Sequence, residues 1–220
     1  AAEIAKALEG DYRPEHLFVL RPAVELYDIY HEKIASCDRE IEAVLSAFEA
    51  RSPGSPCPPA KPRKRRKNEP YFDLRSHLFR VTGVDFTQIK GLDTSTVQTI
   101  LSEVGLDPSR FPSEKHFCSW MGLCPDNRIT GGKIKKRSTR KVTNRAADAF
   151  RLAAQSVANS LSALGGYYRR MKARLGSPKA ITATAHKLAR LFYRLWKTGD
   201  AYQDPGLDYY EKRYQERLLS

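Results

Sequence analysis

Apolar residues recur every seven positions from Leu20 through Tyr27, Ile34 and Ile41 to Phe48, with Val24, Cys37, Val44 and Leu45 at intermediate places. A repeat of this period lays one narrow apolar stripe along a helix, so the spacing predicts a long helix whose stripe needs a cover. Glu25, Glu32, Lys33, Arg39, Glu40 and Glu42 fall on the outer faces and keep such a helix in water. A coiled-coil dimer seam covers the stripe in one arrangement; folding back onto the same domain covers it in the other. Pro22 is tolerated only if it lies in the first helical turn.

The second half of the chain carries a helical period of its own. Val142, Ala146, Phe150, Ala153, Val157, Leu161 and Leu164 trace one face of a long helix starting near residue 139 and broken at Gly165-Gly166. A further helix holds Tyr167 to Leu175. Ser177-Pro178 then reads as an N-cap with a first-turn proline, opening a helix that buries Ile181, Ala185, Leu188, Phe192 and Leu195 and stops before Gly199. Upstream, Ser113 caps a short helix reaching Met121, an irregular stretch runs through Gly122, Pro125, Gly131 and Gly132, and a short helix follows Pro205. No segment alternates as a strand, so the pattern predicts an all-α fold. Its parts are a coiled-coil helix at residues 1–50, a linker at 51–70, a helical domain at 71–204 and a helical tail at 205–220.

The linker holds Pro53, Pro56, Pro58, Pro59, Pro62 and Pro70 together with Lys61, Arg63, Lys64, Arg65, Arg66 and Lys67, and Glu69 is its one acid. It is expected to be flexible, as a basic tether or as a solubilising spacer. From Tyr71 to Gly105 a short helix, a tight turn at Gly91 and a second helix capped by Asp93 or Thr94 are expected. This unit is similar to a helix-hairpin-helix, whose turn amides and following helix N-terminus hold a DNA phosphate. Asp93 stands where a second turn glycine is usual, and its carboxylate opposes phosphate, so a packing role competes.

Composition narrows the function classes. At 220 residues and 41% hydrophobic content the chain has enough material for a core. No apolar run nears the roughly 20 residues of a membrane span, and residues 1–10 lack a secretory pattern. Cys37, Cys57, Cys118 and Cys124 form no CxxC pair and no metal-ligand spacing with histidine, which suits reduced thiols. The net charge of +13 is concentrated: residues 127–147 contain no acid but hold Arg128, Lys133, Lys135, Lys136, Arg137, Arg140, Lys141 and Arg145. Such a window fits a polyanion.

From Gly91 to Tyr202 the chain resembles the C-terminal transposase domain of the bacterial insertion-sequence family designated IS-one-ten, with its IS-eleven-eleven subgroup. The motifs are Phe111-Pro-Ser-Glu-Lys115, Trp120-Met-Gly-Leu-Cys-Pro125, Gly131-Gly-Lys133, Asn144-Arg-Ala-Ala147, Arg151-Leu-Ala-Ala154, Tyr168-Arg-Arg170, Gly176-Ser-Pro-Lys-Ala180 and Ala183-Thr-Ala-His-Lys-Leu-Ala189. Tyr12-Arg-Pro-Glu-His16 and the heptad helix resemble that family's connecting coiled coil. The resemblance implies a DNA recombinase, a guide RNA as partner, and a homo-oligomer, dimer or tetramer, joined through the coiled coil. It implies a cytoplasmic, nucleoid-associated bacterial protein with no membrane contact. In that family a resolvase-like domain supplies acidic ligands for Mg2+, and the C-terminal domain supplies a serine nucleophile just before a glycine. Neither metal ligands nor a resolvase-like half are visible here, so the chain is expected to be a fragment or truncated copy, inactive by itself.

Thr130 aligns with the family serine and is the candidate nucleophile, although a β-branched secondary alcohol is more hindered than serine. Gly131 and Gly132 let the backbone approach a phosphate, and Lys133, Lys135, Lys136, Arg137, Arg140, Lys141 and Arg145 are candidate nucleic-acid contacts. Arg169, Arg170, Lys179, His186 and Lys187 extend that set, His186 on the helix face opposite Leu188 and Phe192. A reading from a different class is a non-catalytic nucleic-acid-binding and dimerisation module. A purely structural coiled-coil protein explains residues 20–48 but not the order of motifs from Gly131 to Ala189.

Overall fold

The computed structural model describes residues 2–7, 9–10, 12–51, 54, 56–60 and 69–219; the side chains of Ala7, Arg128, Ile134, Lys136 and Arg137 fall outside that description. The helices are α1 (Ala2–Ala7), α2 (Pro14–Ala47), α3 (Leu74–Thr82), α4 (Thr94–Val104), α5 (Glu114–Trp120), α6 (Arg145–Ser156), α7 (Ala163–Leu175), α8 (Ser177–Thr198) and α9 (Tyr209–Leu219). One antiparallel hairpin, β1 (Pro125–Thr130) and β2 (Lys133–Thr139), stands between α5 and α6. The fold is mostly helical, as the pattern predicts. None of its helices is long and apolar enough to cross a membrane among the described residues.

Short polar residues decide where the helices start. Asp73, Asp93, Ser113, Asn144 and Ser162 each accept the backbone N–H three residues on, satisfying a donor that the first turn leaves open. The core forms where the strongest apolar stripe meets the others. On α8 the buried residues Ala185, Leu188, Phe192, Leu195 and Trp196 face α5, α6 and α7. Phe192 stacks on Phe86 with ring centroids 4.0 Å apart and meets Phe150 edge-on at 5.6 Å. Phe117 of α5 packs against Phe192 and Trp196 in the same cluster. Gly199, at φ 77°, ends α8 in a left-handed cap.

Several expectations are corrected. The helix expected from residue 139 to 164 is two helices, because Asn144 caps α6 and Ser162 caps α7. Gly165-Gly166 is not a break but lies in the first turn of α7. A Cβ on Gly165 would sit 2.2 Å from the Ser160 carbonyl oxygen, and one on Gly166 2.5 Å from that of Leu207, so these glycines permit close backbone approach. The N-cap of α8 is Gly176, with Ser177 inside the helix. Pro22 lies in the interior of α2, not in its first turn, since that helix already starts at Pro14. It removes one backbone bond from a helix whose surface is open to water. The short helix expected before Gly91 is α3, and a 3-10 turn, Phe86–Gln88, stands between it and that glycine.

The end of α2 is tied to the body. Arg80 of α3 donates to the carbonyls of Leu45 at 2.5 Å and Phe48 at 2.8 Å, while the Tyr71 N–H donates to Asp38 at 3.0 Å. The described part of the expected flexible linker is also anchored: Arg75 donates to the Pro58 carbonyl at 2.6 Å. The basic run Lys61, Arg63, Lys64, Arg65, Arg66 and Lys67 lies outside the described residues.

Candidate nucleic-acid interface

Up to Thr139 the acid-free window is the β1–β2 hairpin, where an irregular stretch was expected, and a helix begins only at Arg145 rather than near residue 139. Gly131 and Gly132 form the hairpin's two-residue loop at φ 57° and 72°. Two successive positive φ values are what a tight hairpin turn with right-handed strand twist requires, and glycine adopts them without strain. Open space surrounds both positions, so the turn itself accounts for the two glycines. The register runs from Pro125 opposite Thr139 to Thr130 opposite Lys133, with one slip that leaves Lys135 as an extra residue in β2. Such a bulge bends the strand and twists the tip.

Thr130 is exposed at the end of β1, beside the glycine turn. As cross-strand partners Thr130 and Lys133 share a face, their Cβ atoms about 5 Å apart. No described residue hydrogen-bonds the Thr130 hydroxyl. Lys135, Ser138 and Lys141 are exposed along the same hairpin and its exit. Arg140 donates to the Ser119 carbonyl at 2.9 Å, tying the end of β2 to α5. A shallow groove lined by Thr139, Arg140, Lys141, Val142, Thr143 and Arg151 runs along this base. The structure therefore gathers Thr130, Gly131, Gly132, Lys133, Lys135, Arg140 and Lys141 on one projecting element; the side chains of Lys136 and Arg137 are not described.

Other candidates stand apart from the hairpin. Arg145 pairs with Glu103 at 3.2 Å from an exposed position. Arg169 donates to the Ala158 and Ser160 carbonyls at 2.8 and 2.9 Å, closing the turn before α7. Lys179 is exposed in the first turn of α8. His186 is half-buried rather than open on the outer face. Burial, then Arg190 and Lys187, hold its proton affinity below the ordinary value, which favours the neutral ring. Arg170 and Lys187 sit in a cleft at α9, together with Arg190, Arg213 and Arg217, which the sequence reading missed. The missed signal is the spacing of Tyr210, Arg213, Tyr214 and Arg217, which share one helical face.

The helix-hairpin-helix expectation meets a filled slot. The Asp93 carboxylate accepts from the Thr96 N–H at 2.8 Å and its hydroxyl at 2.7 Å, occupying the N-terminus of α4 where a phosphate would dock. A Cβ on Gly91 would come 2.6 Å from Val157 Cγ1, so that turn is packed tightly against the end of α6. These contacts favour the packing role. Three of the thiols are held protonated: burial pushes Cys118 up to about 12, and Cys57 and Cys124 are raised for the same reason. Among the described residues, no three of His, Cys, Asp and Glu come together as metal ligands.

Residues 85–169, from the buried Asp85 through the hairpin to Arg169, match the model of the family described as Transposase IS116/IS110/IS902 family. No curated protein matches the chain.

Proposed function

We propose that this chain, whose residues 85–169 match the model of the Transposase IS116/IS110/IS902 family, grips DNA phosphates with its glycine-turned hairpin and presents Thr130 as the attacking hydroxyl in strand exchange. The observation that carries the reading is the hairpin itself: a lysine-bearing element with an exposed hydroxyl beside its glycine turn and no acid beyond Asp126 at its base. Phosphate contacts supply affinity without reading sequence, which suits an element built from lysine and backbone.

In the proposed step the Thr130 oxygen forms a bond to phosphorus and gives up its proton to a base. The bond from phosphorus to the leaving deoxyribose oxygen breaks, and that oxygen takes up a proton. Lys133 offsets the charge that gathers on the phosphoryl oxygens. The base, and any Mg2+ held by acidic ligands, comes from a partner domain; a guide RNA and a homo-oligomer seamed by α2 complete the proposed assembly. Thr130→Ala should abolish covalent DNA attachment in that assembly while leaving DNA affinity nearly intact, and Thr130→Ser should retain or raise it. Adduct formation by Thr130→Ala would refute the assignment. A second reading, a binding module without chemistry, is favoured by the absence of any described base at the Thr130 hydroxyl. In that case neither the wild type nor Thr130→Ser forms an adduct, while DNA affinity persists in both.

A further inference from the structure

The tail helix brings a second concentration of positive charge onto the body, at a place that shares no residue with the hairpin and whose cations all lie beyond the family match. Tyr210, Arg213, Tyr214 and Arg217 project from one face of α9 toward α7 and α8. Between the three helices is a cavity of about 120 Å³ lined by Arg170, Arg174, Lys187, Arg213 and Arg217, with three tyrosines and no carboxylate. It adjoins a cleft of about 390 Å³ that shares Lys187, Arg213 and Arg217 and adds Arg190 and Arg194. The acid in that wall is Glu114, which Arg190 already holds.

Packing this many cations together is costly unless an anion offsets their repulsion. The carboxylates nearby are too few: Glu211 pairs with Arg170 at 2.8 Å, and that guanidinium also lies 3.5 Å from the Tyr214 ring centroid. Lys187 makes no hydrogen bond or ion pair with a described residue. Its ammonium lies 4.7 Å from the Tyr210 ring centroid and 5.3 Å from that of Tyr167. Burial first, then Arg190, Arg213 and Arg217, weakens its hold on the proton. Cation–π contact replaces part of its lost hydration but cancels no charge.

The wall is aromatic as well as cationic. Tyr167 and Tyr210 meet edge-on at 5.3 Å and flank the cations. A duplex keeps its bases stacked inside, whereas a single strand offers phosphates and unstacked bases or sugars together, the pair of features that such a cleft can take up. We propose that the cleft between α7, α8 and α9 binds a single-stranded nucleic-acid segment, with Lys187, Arg213 and Arg217 on its phosphates and the Tyr167 and Tyr210 rings beside the adjoining base or sugar. This site deepens the nucleic-acid reading above and rests on it.

The full chain should be titrated by fluorescence anisotropy with labelled oligothymidylate, oligouridylate and a DNA duplex over a series of salt concentrations. The two single strands separate a DNA from an RNA source of the same chemistry. Arg213→Gln with Arg217→Gln should weaken single-strand binding and flatten its log-log salt slope by about 0.7 for each lost contact, leaving the duplex unaffected. Lys133→Gln with Lys135→Gln should do the reverse. If the α9 variant leaves single-strand binding unchanged while the hairpin variant weakens the duplex, the cleft proposal fails and the hairpin reading stands. If the hairpin variant has no effect on the duplex but the α9 variant acts as expected, the cleft stands and the hairpin reading fails. An α9 variant that weakens the duplex instead also overturns the proposal. A second measurement needs no substitution: acylation of lysine amines, read by peptide mass spectrometry, should show Lys187 protected by the single strand and the exposed Lys197 not. Equal labelling of Lys187 with and without oligonucleotide contradicts the site.

Discussion

Helices α2 and α8 carry apolar stripes of similar regularity and meet opposite fates. Phe192 of α8 is wholly buried, while Leu20, Tyr27 and Ile34 of α2 are 57%, 61% and 51% exposed. The stripe of α8 has α5, α6 and α7 to face; that of α2 meets α3 only near its C-terminal end, where Ile41 and Leu45 are half covered. A periodic stripe thus reports that a helix wants a cover, while the cover itself depends on what the rest of the chain supplies. The apolar seam left open over the N-terminal two-thirds of α2 is where the proposed homo-oligomer would join.

The comparison breaks most sharply in the core. Phe192→Ala should cost about 3–5 kcal/mol, read as a lowered urea midpoint, whereas Tyr27→Ala in the dilute monomer should stay within about 0.5 kcal/mol. Equal losses would mean that α2 is packed within its own chain. Next in size is assembly. Tyr27→Asp with Ile34→Asp should convert an associating protein into a monomer in sedimentation, removing about 2 kcal/mol or more for each large side chain buried at the seam; an unchanged mass would leave the stripe unexplained. The docked end of α2 allows a finer cut. Arg80→Ala removes its bonds to the Leu45 and Phe48 carbonyls, and should cost about 1–2 kcal/mol and speed amide exchange in the last turns of α2 but not in α8.

The smallest effect is a pH dependence near α3. Burial raises the Asp85 carboxyl, but hydrogen bonds from Arg75, Thr87 and Gln88 more than offset it and hold it below the usual carboxylate range. Its folded value is therefore the depressed one. The stabilisation is complete above the unfolded value of about 3.9 and is lost as pH falls through the folded value. Urea midpoints of the wild type should drop over that acidic range, and Asp85→Asn should remove this part of the drop.

What the sequence made legible follows the same contrast. Caps at Ser113 and Asp93 and the face of α8 were readable because propensity, spacing and tertiary packing agree there, and the heptad spacing showed α2 as a long helix though not its start at Pro14. The hairpin was not, because none of its described side chains is buried: Ile129 is exposed and no apolar alternation marks the strands, so the Gly131-Gly132 dipeptide was the one local sign. Thr130 and Lys133 were therefore candidates by position before the turn showed them to be neighbours. The α9 cleft needed three helices to close, and helical spacing in α9 could reveal its face but not what that face meets.

That the hairpin holds DNA through phosphates is tested most directly by duplex affinity over a salt series, for the wild type and for a variant carrying Lys133→Gln, Lys135→Gln and Lys141→Gln. Phosphate binding predicts a steep wild-type fall of log affinity with log salt, and a variant slope reduced by about 0.9 for each contact removed. A flat wild-type dependence, or identical slopes for the two proteins, would contradict it.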